Sequence, residues 1–214
     1  MAVPERLPAH PNEDPDNLHA RAAKQAFAAR LDEIRNDRWL SDAGKAKAIR
    51  DAHADHVRDV QEAYARLDSR RRERLGHLVG QIPNGTGIPD DASAADRAVL
   101  MAAFRAARAQ VAATGNAKER QALMAEAVRF GDDAMINALT TYGLEHGETS
   151  LIAAWADGRT EPGFVAELQE LSATVDGTGY SLARSFDNQD FRPADVPRDL
   201  RPVLDANPET PEAA

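Results

Sequence analysis

The chain has 214 residues and a formal net charge of -9; it is 43% hydrophobic, 29% charged and only 5% aromatic. A sequence pI near 5.2 and a mean hydropathy of -0.53 argue against a general nucleic-acid binder, whose affinity comes from neutralising phosphates. The absence of cysteine excludes disulfides, thiol catalysis and thiolate-held zinc or iron–sulfur centres. It fits a cytoplasmic location.

Much of the apolar share is alanine, which favours helix but buries little area per residue. Long helices around a thin core are therefore expected. The opening "MAVPERLPAHPNEDPDN" has no apolar core behind a basic start, so no signal peptide is read. No apolar run approaches the ~20 residues of a membrane span. With Pro4, Pro8, Pro11 and Pro15 among charges, residues 1–16 read as an extended, disordered arm.

Helical spacing begins at Leu18 with Ala22, Phe27, Leu31 and Ile34, and Asn17 suits the N-cap. "NDRWLSD" interrupts it, and Ser41 can cap a second, longer helix. The seam of that helix is read as Ile49, His53, Val57, Val60, Tyr64 and Leu67, at steps of four and three. Residues 17–80 thus form an antiparallel hairpin, with Trp39 and Leu40 plugging its turn. The first helix is expected to run out opposite about residue 62, leaving an overhang that carries Leu67, Leu75, Leu78 and Val79. Cover for it must come from the rest of the chain or from another subunit.

Residues 81–91, "QIPNGTGIPDD", read as a linker, because Pro83, Asn84-Gly85, Gly87 and Pro89 cannot continue a helix. Residues 92–176 read as a bundle of shorter helices. Ser93 with Asp96, and Asn116 with Glu119, mark two starts. Val99, Leu100, Phe104, Val111, Leu123, Val128 and Phe130 are assigned inward, and Gly131, Gly143 and Gly147 are read as breaks. Residues 177–214 read as irregular, with Tyr180, Leu182, Phe186 and Phe191 able to lie against the bundle or another molecule and a mobile acidic tail beyond Pro193. No alternating strand pattern occurs. The fold class expected is all-α: a long helical hairpin, a bundle of shorter helices and irregular tails.

Three clusters merit chemistry. "LDSRRRERLGHLVG" sets Arg70, Arg71, Arg72 and Arg74 almost side by side. Glu62–Arg66 and Asp68–Arg72 are favourable acid-before-base pairs at i, i+4, and the helix C-terminus itself favours cations. Arg70, Arg71 and Arg74 are left without a local partner. The ordinary account is a solvated helix end. The functional account joins these three arginines to Leu67, Leu75 and Leu78 as a surface for an acidic protein partner. No aromatic side chains alternate with the arginines as single-strand binding requires.

His53 and His56, three apart with Asp51, Asp55 and Asp59 nearby, could share a zinc, but no further ligand motif accompanies them. Half-buried imidazoles beside a helix seam are ordinary, and no metal or other cofactor is assigned. Glu145, His146 and Glu148 sit in a glycine-bounded loop suited to acid–base work. Exposed charges between short helices are far commoner, so no catalytic residue is assigned. "PNGTG" and "DGTGY" lack the lysine and helix context of a phosphate loop.

The stretch "LDEIRNDRWLSDAGKAKAIRDAHADHVRDVQEAYARL", a charged helix, then "LSDAGKAKAI", then a long charged helix, resembles hairpins of small helical proteins from bacteriophage and prophage structural gene clusters of GC-rich bacteria. The resemblance spans about residues 18–80 and rests on style, with no diagnostic motif. It implies a virion or assembly role as scaffold, capsid-associated protein or connector, located in host cytoplasm or virion, and brings no catalytic residues. The expectation is a non-enzymatic interaction protein, homo-oligomeric or part of a larger assembly. The alternative is a nucleic-acid-associated regulator using the basic helix end.

Overall fold

The structure, a computed structural model, describes residues 3–177 and 181–207. Tyr180 and residues 208–214 lie outside them. The described residues contain nine α-helices and no strand, as the helical periodicity and alanine content lead one to expect. The chain divides into two units, each described by itself.

The hairpin unit comprises Pro4–Glu73 and the described part of the C-terminal segment, 181–207. After a 3-10 turn at Pro11–Glu13, helix α1 runs Pro15–Asn36. It starts earlier than Leu18. Asp14, not Asn17, is the N-cap, its carboxylate accepting from the Asp16 N–H at 2.9 Å, and Pro15 suits the first turn because its missing N–H is not needed there. Helix α2 spans Asp42–Gln81, and its Ser41 cap accepts from the Gly44 N–H at 3.1 Å. Through Glu73 it belongs to this unit, where it lies antiparallel to α1. Phe27 stacks on His56 with ring centroids 4.6 Å apart, Ile34 packs with Ile49, and Asp16 pairs with Arg66 and Arg70. Helix α1 therefore accompanies α2 to residue 70 rather than to 62.

The buried face of α2 includes Ala46, Ile49, His56, Val60, Ala63 and Leu67. Val57 is half-buried and Tyr64 exposed, so the seam is rotated by one residue from the expected one in this stretch. The turn is also different. Trp39 is not a plug: it is 96% exposed.

Two segments expected to be irregular are built into this unit. Helix α8, Leu182–Asp190, places Ser181, Asp187 and Asp190 in buried positions. Beyond Pro193, Ala194, Val196, Leu200 and Leu204 pack on the Phe27–Leu31–Ile34–Ile49 cluster, and helix α9 spans Arg201–Ala206. The Arg50 guanidinium donates to the Asn207 carbonyl at 2.9 Å. Thin alanine-rich helices leave their apolar stripe partly uncovered, and this segment covers it.

The bundle unit comprises, among the described residues, Val3 and Arg74–Gly177. Its helices after α2 are α3 (Ala94–Ala113), α4 (Ala117–Phe130), α5 (Asp133–His146), α6 (Thr149–Ala156) and α7 (Phe164–Val175). Ser93 and Asn116 cap α3 and α4 through the N–H groups of Asp96 and Glu119. The core joins Phe104, Ala107, Val111, Met124, Ala127, Met135, Ala138, Leu139 and Leu151. Val99, Leu100 and Phe130, assigned inward from their spacing, are exposed.

Gly143 does not break α5, which runs to His146. Its missing side chain admits α6: a Cβ there would lie 3.2 Å from the Glu148 carbonyl and 3.3 Å from Leu151 and Ile152. The linker is likewise docked. Ile82 is buried, the Thr140 hydroxyl donates to the Pro83 carbonyl, and the Gly85 N–H donates to the Thr141 hydroxyl at 2.8 Å. Gly87 has φ +62, and a Cβ would meet Asn137 Nδ2 at 2.1 Å. Gly87→Ala adds left-handed strain to that clash. It is expected to cost the chain about 2 kcal/mol or more, read as a lowered urea midpoint, while Gly115→Ala, where nothing lies within 4 Å, stays near wild type.

Candidate interaction surface

The seam of α2 explains its arginines. Continuing the steps of four and three beyond Leu67 brings Arg71, Arg74 and Leu78 onto the buried face. Arg71 and Arg74 stand where a packed helix presents side chains to its neighbours, and they keep their charge only by meeting carboxylates there.

In the hairpin unit Arg66 Nε donates to Asp16 at 2.9 Å. Arg70 Nη2 reaches both Asp14, at 2.8 and 2.9 Å, and Asp16, at 2.7 Å. Arg71 and Asp187 form a two-pronged pair at 2.5 and 3.0 Å, with side chains 8% and 9% exposed. Arg21 grips Asp190 at 2.9 and 2.7 Å, and Asn17 Nδ2 donates to the same carboxylate at 2.9 Å. Burial alone raises the Asp190 pKa, but the bonds from Arg21 and Asn17 outweigh it and hold the carboxyl below its ordinary value. Burial also works against the Arg70 charge, yet Asp14 and Asp16 hold its pKa raised.

In the bundle unit Arg74 binds Glu167 of α7 at 2.8 and 3.1 Å, and that bond is the first cause of its raised pKa. Arg70, Arg71 and Arg74 have no local partner, as read, but the account of a solvated helix end is corrected. The partners are carboxylates distant in sequence, and Arg72 makes the expected bond to Asp68 at 2.7 Å. Leu67 and Leu78 are buried and Leu75 is half-buried. Of the six residues assigned to a partner, Leu67, Arg71, Arg74 and Leu78 are thus buried and Arg70 is paired within the chain.

The signal was legible in part. Val60, Ala63, Leu67 and Leu78 already define a face that contains Arg71 and Arg74. Asp14 and Asp16, in a proline-rich stretch, and Asp187 and Asp190, in a segment without apolar periodicity, gave no sign of burial.

The other candidates are also engaged. His56 is 3% exposed, and its Nε2 accepts the Ala194 N–H at 2.9 Å; His53 lies against Phe27, ring centroids 5.7 Å apart. No cluster of three or more His, Cys, Asp or Glu suited to a metal ion occurs among the described residues. Glu145 pairs with Arg108 at 2.8 Å and Glu148 with Arg120 at 2.7 Å. The His146 ring stacks on Tyr142 with centroids 4.0 Å apart. No helix among the described residues is long and apolar enough to cross a membrane.

What the structure leaves outside are large apolar side chains that the sequence reading placed inside. Trp39 is 96%, Phe130 71% and Val99 68% exposed. No protein-family model, curated protein or solved structure matches the chain.

Two expectations follow. Asp187→Ala strands Arg71 in a buried site, and should destabilise the chain by about 3–5 kcal/mol in urea denaturation. Arg71→Met with Asp187→Leu should recover most of that loss.

Burial first, then the nearby charges of His53 and Lys24, push the His56 pKa below its ordinary 6.5, against the smaller pull of Asp59 and the Ala23 carbonyl. The unfolded chain therefore takes up this proton first as pH falls. The contribution of neutral His56 is complete above about pH 6.5 and is lost as pH falls through the folded value. The urea midpoint should decline as pH is lowered from about 7 to about 5, and His56→Gln should flatten that slope.

Proposed function

We propose that this chain is a non-enzymatic helical interaction protein, a structural or assembly component of the kind encoded in phage structural gene clusters. The observation that carries the reading is the exposure of Trp39, Phe130 and Val99 on elements that are otherwise well packed. Exposed aromatic side chains on a rigid frame are the usual anchors of protein contacts. The hairpin style of residues 18–80 adds the assembly context. The contact surface is shifted from the arginine end, whose charges are neutralised within the chain, to these apolar side chains. A nucleic-acid regulator would need those same arginines for phosphate, and no observation favours it over the protein-contact reading.

The test is the mass of the chain by light scattering from micromolar to millimolar concentration, with affinity capture from a producing lysate beside it. Mass rising above the monomer, or capture of a virion or assembly subunit, is expected. A strict monomer that captures no such subunit would end the reading.

A further inference from the structure

The tip of the hairpin displays one residue with unusual care. Asp37 Oδ1 accepts the Trp39 N–H at 2.7 Å and the Leu40 N–H at 3.3 Å, while Ser41 caps α2 immediately afterwards. The backbone on both sides of Trp39 is held, so the indole is presented without the ordering cost of a floppy loop. A tryptophan 96% exposed on such a mount has the form of a knob. Arg38 beside it is exposed and makes no ion pair among the described residues.

The bundle unit carries a matching hole. A recess of about 200 Å³ is lined by Leu123, Ala127, Phe130 and Met135, with Gln110, Glu126 and Asp132 completing it. This is below the ~300–1,000 Å³ of small-molecule sites and suits a single large side chain. Its apolar lining ends in Phe130, which is 71% exposed with the Arg129 guanidinium 5.5 Å from its ring centroid. Glu126 is exposed and makes no ion pair among the described residues. Asp132 Oδ1 accepts the Met135 N–H at 3.0 Å, leaving its other oxygen for a donor.

We propose that Trp39 of one molecule inserts into the Leu123–Phe130–Met135 recess of a second copy. The indole faces Phe130, its N–H is offered to the acceptors among Gln110, Glu126 and Asp132, and Arg38 faces Glu126. The inference rests on the protein-contact reading above and supplies its partner. Knob and hole are different surfaces, so the contact is heterologous: it leaves a free knob at one end and a free hole at the other, and propagates into a chain or closes into a ring. One tryptophan buries about 150–250 Å², well short of the ~1,200 Å² of a stable interface. Each contact is therefore weak, and only closure into a ring, in which every molecule is held at both its knob and its hole, adds strength.

The test uses full-length wild type, Trp39→Ala and Phe130→Asp in sedimentation velocity from micromolar to millimolar concentration. Both substituted side chains are exposed, and unchanged circular dichroism checks the fold. Wild type is expected to associate reversibly, and each variant alone to associate about tenfold or more weakly. Mixed, the two should form a 1:1 heterodimer that does not grow, because the intact hole of Trp39→Ala receives the intact knob of Phe130→Asp. Wild-type-like association of either variant alone, or a mixture that stays monomeric, overturns the inference while leaving the protein-contact reading to another surface. A wild type that is monomeric but captures a virion or assembly subunit through Trp39 also overturns the second-copy assignment and supports the broader reading. A monomer with no captured partner removes both.

Discussion

A buried guanidinium needs a carboxylate, and this need organises the hairpin unit. Helix α2 continues its packed face through Arg71 and Arg74 instead of ending it at Leu67. Those positions are closed to water, so each arginine is stable there only beside an opposite charge held in good geometry. Asp187 is drawn onto the hairpin by that requirement, while the buried Asp14 and Asp16 are held by the part-exposed Arg70 and Arg66, and Asp190 by Arg21 and Asn17. In the bundle unit Arg74 makes the same demand of Glu167. The pairs contribute less net energy than their number suggests, because desolvation offsets much of the attraction. They specify which segment lies where.

That specification substitutes for apolar area. Alanine and arginine dominate where a larger core would place leucine and phenylalanine, and two lone helices with so little to bury would be marginal. The C-terminal segment completes the hairpin with Leu200, Val196 and Leu204 against Phe27, Leu31, Ile34 and Ile49. The His56 side chain contributes an acceptor for the Ala194 N–H at the same place. A segment rich in Pro and Asp thus does the work of a third helix.

Function shifts accordingly. The arginine cluster, the most conspicuous feature of the sequence, is internal architecture, whereas the conspicuous surface features are aromatic: Trp39 at the hairpin tip and Phe130 at the end of α4. The proposed assembly role depends on these residues. It needs a knob that Asp37 keeps in place and a recess that joins the apolar Leu123, Ala127 and Met135 to the polar Gln110, Glu126 and Asp132.

The sequence by itself determined the all-α class, the capped starts at Ser41, Ser93 and Asn116, and the hairpin with its long second helix. These follow from period, side-chain capping and proline or glycine punctuation, all of which act over a few residues. Only the tertiary structure decided which carboxylates meet Arg70, Arg71 and Arg74, that Gly143 serves close packing, and that Val99, Phe130 and Trp39 face outward. An apolar side chain at helical spacing says that one face is to be covered, but not by what. An aspartate in a proline-rich stretch is indistinguishable from a solvated one until a guanidinium from a distant turn arrives beside it.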